Sequence, residues 1–175
     1  MLTLRFRAIF VFLTLAVLAA CTEPLMTQGQ SENLVVRNIS VDVSALSGVT
    51  GRQIDVPAEQ IGADVKAALE KALARPGPGN ADLAVVVQSV KLTSPGAAAA
   101  FGGNSKISVL MTITDAKTGD VLLPTREVRG YSDVLRLPGV IGVATSPSRE
   151  NDYRQTVDGF AQSVKEQIYG DDAAS

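Results

Sequence analysis

Residues Lys106–Asp115 constrain the fold most tightly, because Ile107, Val109, Met111 and Ile113 alternate with Ser108, Thr112 and Thr114. A period of two predicts a β-strand with one apolar face, and that face needs a cover. Two segments can supply it. In 57–74, Ile61, Val65, Leu69 and Leu73 recur every four residues with Ala68 and Ala72 beside them. Pro57 suits a first helical position, and Glu59 faces the positive end of the helix dipole. In 147–169, Tyr153, Val157, Phe160, Val164 and Ile168 form a second stripe, with Arg149, Glu150, Asp158, Lys165 and Glu166 off it. Ser146 before Pro147, or else Ser148, can cap this helix, and Gly170 can end it. Each helix has a single apolar stripe, so both are expected on the same sheet face.

The remaining strands read less cleanly. In 34–43, Val35, Ile39, Val41 and Val43 oppose Asn38, Ser40 and Asp42, with Arg37 interrupting the apolar side near a solvent-facing end. Residues 44–52, with Gly48 and Gly51, read as a loop, and 75–80 as a turn-rich connection. The run Ala84-Val85-Val86-Val87 suggests that the strand 81–93 is buried on both faces at its start. The segment 97–104 is small, apolar and flanked by glycines, too short for a stable helix. Turn residues fill 115–120, and 121–133 returns as a strand in which Pro124 marks a bulge or an edge. The order β-α-β-β-β-α predicts an α+β domain, a largely antiparallel four-stranded sheet with two helices packed on one face. If the first two strands are neighbours, they are parallel.

The N-terminus has a different logic. Arg5 and Arg7 precede the run 8–18, in which Thr14 is the only polar residue. That run is shorter than the roughly 20 apolar residues of a bilayer span, and it reads as the core of a signal peptide. Leu18-Ala19-Ala20-Cys21 then resembles the lipobox of bacterial lipoproteins. The resemblance implies cleavage between Ala20 and Cys21, a diacylglycerol on the Cys21 sulfur and acylation, palmitate among the chains, of its new amino group. An ordinary secretory signal with a chance cysteine, or an uncleaved helix, is the alternative. Against it, Cys21 is the only cysteine of 175 residues, so no intramolecular disulfide can employ it. Two or three acyl chains anchor a protein firmly, where one holds it only marginally.

The expected organisation is a signal peptide at 1–20, a lipidated flexible tether at 21–33, one α+β domain at 34–170 and a disordered tail at 171–175. Pro24, Gly29 and repeated Gln support the tether, whose dozen residues would reach about 40 Å when extended. Loss of residues 1–20 leaves 14 basic against 18 acidic residues, a net charge of −4. Nothing in that balance offers a footprint for nucleic acid.

Chemistry is sparse. The chain has no His and no Trp, and lipidation would consume its thiol. The side chains of common zinc sites, Ser-His-Asp triads and Cys-His pairs are therefore missing. Asp115, Asp120, Glu127 and Asp133 include no pair whose spacing singles it out for acid/base work, and no Ser-x-x-Lys occurs. Gly77, Gly79, Gly102 and Gly103 lack the strand-to-helix context of a phosphate cradle. The expectation is a protein that is not an enzyme, with no catalytic residues, no metal site and no cofactor.

The element order, with Asp115-Ala116-Lys117-Thr118-Gly119-Asp120-Val121-Leu122 at the hairpin, is similar to small Gram-negative envelope lipoproteins of unknown function. The hairpin also resembles one in the curli-export lipoprotein and its relatives. This resemblance implies a membrane-anchored domain on the periplasmic side, a non-catalytic binding or scaffolding component with an envelope protein as partner. An auxiliary subunit of a lipid or export transporter is the alternative, and a cell-wall hydrolase the third reading. Thr22, rather than Asp, after the cysteine resembles an outer-membrane address. Two apolar, Gly-interrupted segments stand apart from the expected core, 97–101 with Phe101 and 137–143 with Leu137, Val140, Ile141 and Val143. They are candidate partner contacts, or else caps on the open end of the sheet.

Overall fold

A computed structural model describes residues 25–52, 54–132 and 146–170. In chain order the elements are α1 (Gln28–Glu32), β1 (Val36–Asp42), β2 (Val49–Thr50), α2 (Ala58–Ala72), β3 (Ala81–Lys91), α3 (Pro95–Phe101), β4 (Lys106–Asp115), β5 (Val121–Tyr131) and α4 (Arg149–Tyr169). The fold is α+β. The sheet runs β1-β3-β4-β5, and the two-residue β2 adds a fifth strand beside the far half of β3. β1 and β3 are parallel and connected through α2, whereas β3-β4 and β4-β5 are antiparallel.

The alternation of β4 translates directly into packing. Ile107, Val109, Met111 and Ile113 are fully buried beneath the helices, as are Ile61, Val65 and Leu69 of α2 and Phe160 and Val164 of α4. Leu83, Val85 and Val87 of β3 and Leu123 and Val128 of β5 complete the same core. The other sheet face shows solvent Ala84, Gln88, Thr125 and Glu127. A bulge at Gln88 shifts the β3-β4 register between Val87 and Ser89, after which Val90 and Leu92 point inward. One extra residue switches the parity of a strand. The expected two-sided burial at the start of β3 is thereby corrected, since Ala84 is exposed and Val86 only half-buried. Around Pro124 the β4-β5 register also shifts, from Met111↔Arg126 to Ile113↔Leu123, as a residue without an N–H favours.

α4 lies directly on β5 because two glycines let it. A Cβ on Gly130 would overlap Phe160, and one on Gly159 would meet the carbonyl oxygen of Tyr131. Ser148 caps α4, its Oγ accepting from the Asn151 amide at 3.2 Å, and Gly170 ends the helix at φ 83°. At α2, Pro57 stands one place earlier than expected, at the cap itself.

Three readings of the sequence change. Residues 97–101 are helical within α3, because the Ser94 side chain accepts from the Ala97 amide and Pro95 opens the first turn. The expected loop at 44–52 contains β2, which pairs Val49 and Thr50 with Val90 and Lys91. The expected tether at 21–33 is folded from residue 25 onward, with Met26 and Leu34 only 4% and 3% exposed. Met26 was the signal, an apolar residue placed to fill the end of the core.

Candidate functional site

The two ends of the sheet differ in chemistry. At the first end, the Leu25 amide donates to the Gln167 carbonyl near the end of α4 at 2.9 Å. Thr27 and Gln30 form a capping box around α1. Asn80 brackets the entry to β1, its Oδ1 accepting from the Val35 amide at 2.8 Å and its Nδ2 donating to the Asn33 carbonyl at 2.7 Å. Arg75 donates to the Ser31 carbonyl at 3.0 Å while its guanidinium lies 4.5 Å from the centroid of the Tyr169 ring. Burial raises the Tyr169 hydroxyl above its ordinary pKa, and the Arg75 charge opposes that shift. The β4-β5 hairpin belongs to this end too, since the Ala116 amide donates to the Asn80 carbonyl. Its turn is fixed by Asp115, whose Oδ1 accepts from the Lys117 and Thr118 amides at 2.8 Å each, with Gly119 at φ 79°. Those bonds hold the Asp115 carboxyl below its usual range.

At the opposite end sits a buried polar cluster. Asp152, fully buried in the first turns of α4, accepts from Ser105 Oγ at 2.9 Å and lies 3.4 Å from Nη1 of Arg52. Arg52 also donates to the Pro147 carbonyl, and the Thr93 amide donates to Ser105 Oγ. Asn104 Nδ2 donates to the Ser132 carbonyl at 3.1 Å. The cluster joins β2, the ends of β3 and β5, and α4 through hydrogen bonds a low-dielectric interior strengthens. The sequence reading missed it. Asp152, Thr156 and Gly159, spaced four and three apart, form a second buried row on α4, and that spacing was the available signal.

An open cleft of about 350 Å³ lies between α2 and α4, lined by Asp64, Ala68, Lys71, Tyr153, Arg154 and Val157 among others. Tyr153 Oη donates to Asp64 Oδ2 across it at 2.8 Å, and burial together with that bond pushes the phenol far above its ordinary range. The cleft mixes an apolar floor with both signs of charge.

Among the described residues, the carboxylates considered in the sequence do not all come together. Asp115 and Asp120 lie at the hairpin, while Glu127 is exposed on the outer side of β5 and accepts from Arg129 at 2.8 Å. Asp133 lies outside the described residues. So do Ala20, Cys21, Leu137, Val140, Ile141 and Val143. Phe101 is 88% exposed at the end of α3, whereas Ala98 in the same helix is fully buried. The segment thus splits into an inward and an outward side. Among the described residues no group of three Asp, Glu, His or Cys side chains is placed to hold a metal, and no helix is long and apolar enough to cross a membrane.

No protein-family model matches the sequence, and no curated protein matches it. Several solved structures share a loose chain arrangement with it. A DUF330-family protein of Xanthomonas campestris is 10% identical, with 75% of this chain and 79% of that chain covered and a TM-score of 0.43. A minor lipoprotein from Acinetobacter baumannii is 16% identical, with 78% and 92% covered and a TM-score of 0.36. The PelC dodecamer from Paraburkholderia phytofirmans is 12% identical, with 76% and 89% covered and a TM-score of 0.39. At these scores no function passes from those proteins to this chain.

Proposed function

We propose that this chain is a lipoprotein of the bacterial cell envelope, anchored through acylated Cys21 with its domain in the periplasm. One observation carries the reading. The only cysteine of the sequence directly follows Leu18-Ala19-Ala20 at the end of a charged and then apolar leader. Acyl chains on such a residue hold a folded domain at the bilayer without a spanning helix. Thr22 after the cysteine favours the outer membrane as the destination.

The domain acts as a non-catalytic binding or scaffolding component. Among the described residues the one fully buried carboxylate, Asp152, is paired with Arg52 and hydrogen-bonded by Ser105, an arrangement that fixes structure. Phe101 offers an exposed apolar anchor for a partner. Replacing Cys21 by Ser tests the anchoring. The expected result is loss of palmitate labelling and release of the domain from membranes. A Cys21→Ser chain that is still cleaved after Ala20 and stays on membranes through a high-salt wash contradicts it.

A further inference from the structure

The folded N-terminal segment leaves little slack between anchor and domain. Leu25 is hydrogen-bonded to Gln167, Met26 is buried and Arg75 grips the Ser31 carbonyl. Only four peptide links separate Leu25 from Cys21. Fully extended, they span at most about 14 Å, since each residue adds no more than about 3.6 Å. A flexible tether running to residue 33 would have allowed about three times that reach.

The first end of the sheet gathers α1, the turn before Asn80 and the β4-β5 hairpin around Leu25. β3 leaves this end at Ala81, where it pairs with Asp115, and reaches the other end at Lys91, where it pairs with Lys106. At about 3.3 Å per residue, its eleven residues carry the chain roughly 35 Å from one end to the other. α3 with Phe101, and the cluster around Asp152, lie at that other end.

We propose that the end formed by α1, the turn before Asn80 and the β4-β5 hairpin is a lipid-facing surface held against the headgroups, with the Phe101 and Asp152 end turned outward. The proposal rests on acylation of Cys21, and it adds an orientation that acylation alone does not supply. Free rotation on a long tether would expose both ends to the bilayer equally. A leash of four residues keeps the end around Leu25 within about 14 Å of the anchor, whereas the other end, roughly 35 Å farther along β3, is not held near it. The exposed ring of Phe101 then addresses the aqueous side, where it meets proteins and not acyl chains.

The test uses the acylated full chain purified from membranes. Acylation consumes the Cys21 thiol, so one cysteine introduced at an exposed position takes a fluorescent donor alone. Lys117→Cys, at the hairpin, and Phe101→Cys, at the far end, are compared after reconstitution into vesicles of phosphatidylethanolamine and phosphatidylglycerol bearing a headgroup-linked acceptor. Energy transfer to the bilayer is expected to be several-fold stronger from position 117 than from 101. Inserting twelve Gly and Ser residues between Thr22 and Glu23 is expected to reduce that difference sharply. Equal transfer from both positions, stronger transfer from 101, or an unchanged difference after the insertion overturns the orientation. Mass analysis of Cys21 in the same samples separates the two claims, because a bare thiol overturns the anchor and the orientation together, whereas an acylated Cys21 with equal transfer overturns the orientation alone.

Discussion

The Arg75 guanidinium lies over the Tyr169 ring, 4.5 Å from its centroid, while Nη1 donates to the Ser31 carbonyl. One side chain thereby ties the end of α2 to the end of α4 and to the segment that precedes the domain. Arg75→Ala is expected to cost about 1–2 kcal/mol, a cation–π contact plus a charged hydrogen bond at a partly exposed site. Limited proteolysis should then cut the 25–33 segment while the rest of the domain resists. Equal resistance of that segment in wild type and variant would remove the role assigned to Arg75.

α4 can approach β5 only where no side chain intervenes. Gly130→Ala and Gly159→Ala each place a methyl group against backbone, at Phe160 and Tyr131 respectively. Each is expected to destabilise by about 1–3 kcal/mol, the usual range for overpacking. Urea unfolding measures this, and a midpoint unchanged in both variants would show that the helix sits farther from the sheet.

The pairing of Asp152 with Arg52 holds the outward end together. Arg52→Ala removes one guanidinium from beside a fully buried carboxylate that Ser105 still hydrogen-bonds, at an expected cost of about 1–3 kcal/mol. Asp152→Asn in the Arg52→Ala background should recover part of that loss, since the amide carries no charge. No recovery in the double variant would mean that the charge of Asp152 is balanced by another group.

Alkaline pH offers a check on the phenols. Folding raises the pKa values of Tyr153 and Tyr169 above the ordinary 10, chiefly by burial. The folded state therefore keeps these protons when the unfolded state has begun to lose them, and stability must fall as pH rises above about 10. Below that pH the contribution is fully present. Tyr153→Phe should show a shallower decline of the urea midpoint above pH 10 than wild type, and a parallel decline would place the Tyr153 hydroxyl in solvent.

Much of this fold was legible in the sequence because its core is periodic. The alternation in β4 and the four-residue rows of Leu69 and Phe160 identified side chains that are 0% exposed. What escaped was set by single contacts that periodicity does not encode. The bulge at Gln88 reversed the facing of Val90, α3 formed because Ser94 caps it, and the segment after Leu25 folded because Met26 and Arg75 found partners distant in sequence. Polar interior groups were harder to read, since only its spacing from Thr156 and Gly159 sets Asp152 apart from a helical surface residue, and its partners Ser105 and Arg52 are distant in sequence. Phe101, a candidate contact in the sequence, is exposed at the end of α3, while Leu137, Val140, Ile141 and Val143 lie outside the described residues.

In the proposed lipoprotein Cys21 carries lipid and begins the mature chain, four residues before Leu25, whose amide is hydrogen-bonded to Gln167. Mass spectrometry of the N-terminal peptide from the membrane fraction tests this directly. The expected peptide starts at Cys21, with a diacylglycerol on its sulfur and an acyl group on its amine. A peptide that retains residues 1–20, or one that starts elsewhere with Cys21 as a free thiol, would contradict it.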